Sequence, residues 1–312
     1  MSDHDFNYWL RKFSHLRIDR ASRYPAPHKP LLLLAIIDQI ENGAISNPEI
    51  KLTPELAFRF LTYWGVVACR LQTVGKIELP FFHLKGDGIL LPVAVPGLEA
   101  ALSAVRPRSV QQLNRVVSHA LLPEDLFSFL QQAENRIMAK KVLISGDWFS
   151  TDEKTVISEI VGLSSTDAVD EITTGEGSRF DKVTAGRDAK FRLQIVPLYR
   201  YSCALCGRRI LLPSGMTLVE AAHIHQFAKS QNNDVSNGIA LCKNHHWAFD
   251  LGLWSIDENF SAIVALDSFS EYSNERTLAD FHKHPLDLSW LKAEFRPSPK
   301  NLAWHRENVF LS

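Results

Sequence analysis

Two close pairs of soft ligands frame residues 203–245. Cys203 and Cys206 form a CxxC pair, and Cys242 with His245 forms a CxxH pair that begins 36 residues after Cys206. Four N/S donors in two close pairs suit tetrahedral zinc, and an ion with all four positions filled by protein is structural. His223, Asn237 and His246 are interleaved with these ligands and are not needed for that tetrahedron. Residues 245 and 246 would lie about 100° apart around an α-helix. One imidazole can then face the zinc while its neighbour faces elsewhere.

The order of these residues resembles the HNH nucleases, which have a ββα-metal fold. The matching stretches are Ala222-His223-Ile224, Asn237-Gly238-Ile239 and Cys242-x-x-His245-His246-x-x-Phe249-Asp250, within about residues 185–270. The resemblance implies phosphodiester hydrolysis. His223 is then the general base, since a neutral imidazole can take a proton from water near neutral pH. His246 is the ligand for one hydrated divalent ion, Mg²⁺ or Mn²⁺, acting on the scissile phosphate and the leaving oxygen. Asn237 cannot titrate, and its expected work is to hold the loop that carries the base. Many HNH enzymes have an acid immediately before the first histidine, and here that position is Ala222. Glu220 is the nearest acid and shares a strand face with Ala222. It is expected either to supply the carboxylate of the catalytic metal or to orient a neighbour. His225 is read as a DNA or solvent contact, on the same face as His223 if the strand continues. Asp250 is expected to cap or anchor the helix end rather than to ligate metal.

Something must present these groups to DNA. The chain has 312 residues, enough for two domains, and 46% of them are hydrophobic. Its net charge of −1 rules out a global basic signature. DNA contact must therefore come from local patches. One such patch is residues 179–210, with eight Lys/Arg against Asp181 and Asp188. Three of the four cysteines fall in the zinc pattern, and Cys69 stands in an apolar run as an expected buried thiol. This usage fits a reducing cytoplasm rather than a disulfide framework. The N-terminus shows no signal-peptide pattern, and the longest apolar run, 31–37, is too short to span a bilayer.

In the N-terminal half, apolar residues at helical spacing predict a helix over 5–18. Pro25, Pro27 and Pro30 interrupt regular helix, and Pro30 can sit in the first turn of a buried helix over 31–43 that Gly43 ends. Thr53 can cap a second helix running to about Trp64. The apolar stretch 79–92, with Gly86-Asp87-Gly88 inside it, reads as a strand with a turn. Helices are expected over about 108–121 and 123–142, the second with Leu126, Phe129, Leu130, Ala133, Ile137 and Met138 on one stripe.

The block Pro27-His28-Lys29-Pro30-Leu-Leu-Leu-Leu, together with Pro80-Phe-Phe-His83-Leu-Lys85-x-Asp87-Gly88, resembles the sulfur-binding domain of phosphorothioate-dependent restriction endonucleases, over roughly residues 5–150. In that family the domain precedes an HNH nuclease. The resemblance implies binding to double-stranded DNA in which sulfur replaces a non-bridging phosphate oxygen. Sulfur is larger, softer and less hydrated than oxygen. An apolar pocket with a cation nearby could tell them apart, and Arg23, Tyr24, Pro27, His28, Lys29, Pro30 and His83 are the residues expected to build it.

Residues 164–178, rich in Gly, Ser, Thr and acids, read as a flexible link. The expected organisation is α+β: a mainly helical recognition domain with a small β element (1–160), a linker (161–183), and a zinc-bearing ββα-metal HNH domain (184–312). The expected function is a modification-dependent DNA endonuclease. Dependence on methylated or hydroxymethylated cytosine is one alternative, and a non-catalytic zinc DNA-binding protein is another. One active site per chain cuts one strand, so a double-strand cut calls for a homodimer or two successive events.

Overall fold

The computed structural model describes residues 3–21, 25–71, 73–163 and 176–312. It divides into two units, residues 1–190 with 212–216, and residues 191–211 with 217–312.

The first unit is built from helices α1 (Asp3–Ser14), α2 (His28–Glu41), α3 (Pro54–Leu71), α4 (Glu78–His83), α5 (Glu99–Ala104), α6 (Val110–Asn114), α7 (Glu124–Gln131), α8 (Ala133–Ser145) and α9 (Thr151–Ile160), together with three short strands. The strands β1 (Glu49–Ile50), β2 (Leu91–Ala94) and β3 (Val117–Leu121) form an antiparallel sheet with β3 in the middle. The apolar run of α2 leaves no polar face, so the helix is buried on every side over residues 30–40. Helices α3, α4, α7 and α8 surround it. Asp38, the one acid in that buried stretch, is matched by Arg59 at 3.1 Å, Lys140 at 3.1 Å and the Tyr63 hydroxyl. Burial and then the Asp38 charge push the Tyr63 phenol well above its ordinary pKa, so it stays a donor. Thr53 caps α3 through the Leu56 amide at 3.2 Å.

Three expected elements differ. Residues 79–92 are not a strand with a turn. Helix α4 is followed by a 3-10 turn over Leu84–Asp87, which Gly88 closes at φ 66°, and strand begins only at Leu91. A short apolar run does not reveal its period. Here Ile77, Phe81, Phe82 and Leu84 bury a helical face, and Pro80 sits in the first turn where its missing N–H costs nothing. The helix over 108–121 shrinks to α6, capped by Ser109, because Val117–Leu121 is claimed as the central strand by partners distant in sequence. The helix over 123–142 breaks at Gln132, whose ψ of 131° is extended. The break resets the phase: Leu126, Phe129 and Leu130 remain buried, whereas Ile137 and Met138 are 41% and 39% exposed. The inward face of α8 is instead Asn135, Ala139, Lys140, Leu143 and Ile144.

Residues 164–175 of the expected link lie outside the described residues, as do Ser22, Arg23, Tyr24 and the side chain of Cys69. Helix α10 (Glu176–Leu198) begins inside the stretch expected as linker, with Pro197 in its last turn, and the division between the two units falls within it.

In the second unit, α10 leads into a loop and then β4 (Val219–His223). There follow α11 (Phe227–Ser230), β5 (Gly238–Cys242), α12 (Lys243–Asp250), the hairpin β6 (Trp254–Ile256) and β7 (Ala262–Val264), and α13 (Pro299–Asn308). Strands β4 and β5 pair antiparallel, His223 opposite Gly238 and Val219 opposite Cys242, and α12 follows β5 without a linker. Gly238 is required by close approach: a Cβ there would sit 2.3 Å from Ile195 Cδ1 on α10.

Helix α13 is fixed by His305. Its ring stacks on Phe249 at 3.8 Å, Nδ1 meets the Ser255 hydroxyl at 2.8 Å, and Nε2 meets the Phe249 carbonyl at 3.1 Å. Burial lowers its pKa from 6.5 to about 4. The unfolded chain therefore binds more protons than the native unit below pH 6.5. His305's contribution is fully present above pH 6.5 and is lost as pH falls toward 4, to the extent of about 3 kcal/mol. Urea melts at pH 7 and pH 4.5, followed by tryptophan fluorescence, should show this loss in the wild type and a smaller one in His305→Asn. Equal losses in the two proteins would rule out His305 as the source.

Candidate metal centre and active site

The four candidate metal ligands are brought together by two tight local structures. After α10 the chain turns through Arg200 and Tyr201 at positive φ. It then folds back on itself, with the Gly207 amide bonded to the Cys203 carbonyl at 2.8 Å and the Cys203 amide to the Arg208 carbonyl at 3.0 Å. This knuckle presents Cys203 and Cys206. Cys242 is the residue before α12, and His245 lies in the first turn of that helix. The ligand atoms of all four lie within 4.8 Å of one another. Both Cys203 Sγ and Cys242 Sγ are 3.4 Å from His245 Nδ1. Bonds of about 2.3 Å to sulfur and about 2.0 Å to nitrogen place such atoms about 3.5 Å apart around a tetrahedral zinc, so the donor set fits that ion. Hydrogen bonds from Cys203 and Cys206 draw the Cys242 thiol far below its ordinary pKa. Burial opposes charge on His245, but Cys206 and Cys242 outweigh it and hold the imidazole up at about 9. A cation among these groups would bind the thiolate and displace the shared protons.

His223 ends β4. Its ring lies parallel to Phe191 with centroids 3.9 Å apart, and Phe227 stands 5.4 Å away. Its Nε2 is 2.8 Å from Asn233 Oδ1. A carbonyl oxygen only accepts, so Nε2 is the donor in this contact. Asn237 is fully buried. Its Oδ1 accepts from the His225 amide at 2.8 Å, and its Nδ2 donates to the His225 and Asn232 carbonyls at 3.0 and 2.9 Å. It thus ties both ends of the loop between β4 and β5. His246 points away from the zinc cluster: Nδ1 is 3.1 Å from Glu220 Oε2, and Nε2 is 3.4 Å from Asp250 Oδ2. Burial raises the Asp250 pKa, while His246 and His223 pull it back. The four groups Glu220, His223, His246 and Asp250 therefore share one electrostatic site.

Two residues behave differently from expectation. Strand β4 ends at His223, so His225 does not continue its face and instead stacks on Trp304 at 3.9 Å. Asp250 does not cap α12, which Leu251 ends through its backbone, and its carboxylate turns to His246. Sequence reasoning missed Asn233 and Phe191. Asp250 had a signal, because it lies four residues after His246 and so on the same helix face. Asn233 had none.

In the first unit, Pro27 and Pro30 are buried, and the His28 ring packs on Trp64 at 4.5 Å. Lys29 is turned inward. It pairs with Asp87 at 2.6 Å, their side chains 12% and 4% exposed, and also donates to the Arg17 carbonyl. Asp87 in turn accepts from the Arg17 amide at 2.8 Å, and its carbonyl from Lys12 at 2.7 Å. His83 is exposed. Burial, then Lys29 and Lys85, lower its pKa. Arg23 and Tyr24 lie outside the described residues.

Residues 203–257 match the HNH endonuclease family, and residues 7–166 match the ScoMcrA-like DNA sulfur-binding domain. Three solved chains match as well. One is a "Modification dependent TagI restriction endonuclease", at 21% identity, covering 41% of this chain and 42% of that one with a TM-score of 0.32. The match thus spans less than half of that relative. No curated protein matches. Among the described residues, no helix is long and apolar enough to cross a membrane. With more than half of its 312 residues matched by one family, the chain belongs to the ScoMcrA-like DNA sulfur-binding domain family and carries an HNH endonuclease domain behind it.

Proposed function

We propose that this protein is a DNA endonuclease that recognises a phosphorothioate in duplex DNA and hydrolyses phosphodiester bonds nearby. The observation that carries the catalytic half is the convergence of His223 and His246, from a β-hairpin and the helix after it, on a frame held by the Cys203, Cys206, Cys242 and His245 cluster. In this reading His223 Nδ1 takes the proton of the attacking water. Asn233 holds the ring in that tautomer through Nε2–H, and Phe191 fixes its plane. Asn237 keeps the loop beneath the base from shifting, which matters because small misplacements of a base cost rate steeply. His246 holds a hydrated Mg²⁺ or Mn²⁺ with a neighbouring carboxylate. That ion would supply charge neutralisation at the phosphate and the leaving 3′ oxygen. Zinc in the closed cluster has no free position and serves the fold.

The recognition half is supported by the sulfur-binding family match. Pro27, just before α2, and Pro30, in its first turn, pack inward, and the His28 ring lies on Trp64, giving this run an apolar, aromatic-backed base. Arg23 and Tyr24 from the same run and His83 complete the expected contacts to DNA. Lys29, spent on Asp87, acts by bracing this run against the turn after α4 rather than by reaching the phosphate. A nuclease of this kind, with reduced cysteine ligands, works in the cytoplasm on duplex DNA. A double-strand cut then needs two copies of the chain or two successive events.

The test is a binding comparison on the full chain with phosphorothioate, cytosine-methylated and plain duplexes of one sequence. The sulfur-bearing duplex should bind at least about tenfold tighter than the plain one, about 1.4 kcal/mol. Preference for the methylated duplex with indifference to sulfur would remove this assignment and favour a base mark.

A further inference from the structure

His246 has a carboxylate on each edge of its ring. Glu220 meets Nδ1 at 3.1 Å and Asp250 meets Nε2 at 3.4 Å. An imidazole gives one nitrogen to a metal ion, and the other keeps its proton and donates it to an orienting acceptor. Only one of the two carboxylates can therefore share an ion with His246.

Their surroundings differ. Glu220 is already met by cations, with Lys243 Nζ at 3.9 Å and the half-buried Arg192 in electrostatic contact. A carboxylate balanced in this way is a good acceptor for an N–H and a poor additional ligand. Asp250 has a 53% exposed side chain, and the charged groups acting on it are His246, His223 and the like-charged Glu220. The Nε2 edge is thus the one that shares its field with the base. Asp250 is also the last residue of α12, where the helix dipole adds negative potential and favours a cation. The 3.4 Å between Nε2 and Oδ2 is close to the roughly 3 Å between neighbouring ligands of an octahedral ion with bonds of about 2.1 Å.

We infer that Asp250, together with Nε2 of His246, holds the divalent cation, and that Glu220 is a positioning residue that fixes the ring through Nδ1. Asp250 then supplies the carboxylate that Ala222 does not. This inference rests on the reading of His246 as a cation ligand.

The test is made on the zinc-loaded full chain, with Mn²⁺ binding followed by the loss of the free-ion EPR signal. His246→Ala and Asp250→Asn should each weaken Mn²⁺ binding at least about tenfold. A thiolate placed in the ligand position should favour a soft ion. Asp250→Cys should therefore gain Cd²⁺ affinity and a thiolate-to-cadmium absorption band absent from wild type, while Glu220→Cys should gain neither. The band in Glu220→Cys and not in Asp250→Cys overturns the assignment in favour of Glu220. Undiminished Mn²⁺ binding in Asp250→Asn, with loss in His246→Ala, overturns it while leaving His246 as a ligand. Undiminished binding in His246→Ala removes the cation reading on which the inference stands.

Discussion

His223→Ala should lose DNA cleavage by about three orders of magnitude, within the range for removal of a positioned general base, while its affinity for duplex DNA changes little. In the proposed mechanism Nε2 donates to Asn233 at 2.8 Å while Nδ1 takes the proton of water, and the parallel Phe191 ring holds the imidazole plane. Alanine removes the proton acceptor and leaves β4, its pairing with β5 and the metal cluster in place, since the strand register is set by backbone bonds. Cleavage is measured with Mg²⁺ or Mn²⁺ on the same duplex used for binding. Added imidazole should restore part of the lost rate in the alanine variant, which a folding defect would not allow. Wild-type cleavage by the variant would assign the base elsewhere. If neither protein cuts with either ion while both bind DNA, the HNH segment is a zinc-braced binding module.

Loss of the zinc cluster should have the largest effect on stability, and the effect should be confined to the second unit. The cluster joins the knuckle after α10 to the start of α12, and the hairpin that carries His223 runs between them. Binding of structural zinc to small sites contributes on the order of 10 kcal/mol, comparable to the whole stability of a typical domain, about 5–15 kcal/mol. Purified protein should contain one zinc per chain by elemental analysis. Cys203→Ala, or exhaustive chelation, should lower the melting temperature of the second unit by more than about 10 °C and abolish cleavage. The first unit, whose core around α2 holds no cluster of metal-ligating side chains among the described residues, should melt unchanged. A metal-free protein with an unaltered melting curve would show that the four residues are not a structural zinc site.

The clustering of Cys203, Cys206, Cys242 and His245 was legible from residue type and spacing. Two pairs of soft donors separated by a hairpin's length suit a tetrahedral site, and the fold brings the four donor atoms within 4.8 Å of one another. Adjacent histidines on a helix must diverge, and His245 and His246 do: one faces the sulfurs and the other faces Glu220 and Asp250. The buried helix α2 was likewise readable, since eleven consecutive residues that leave no polar face can only be an interior element.

What the sequence did not determine depends on partners distant along the chain. Residues 117–121 look as helical as their neighbours until β1 and β2 claim them as a central strand. Residues 79–84 alternate no more clearly than a strand would, and burial of Phe81 and Phe82 on one helical face decided the matter. Lys29 was visible as a cation, but only Asp87, 58 residues away, turned it inward. His223 divides in the same way. Its position stands out in the sequence, and the role of general base is what the resemblance to HNH nucleases implies. Which nitrogen of His223 meets Asn233, and which ring stacks on it, were decided by the tertiary structure, because Asn233 and Phe191 act through distances of a few ångströms that no spacing along a chain encodes.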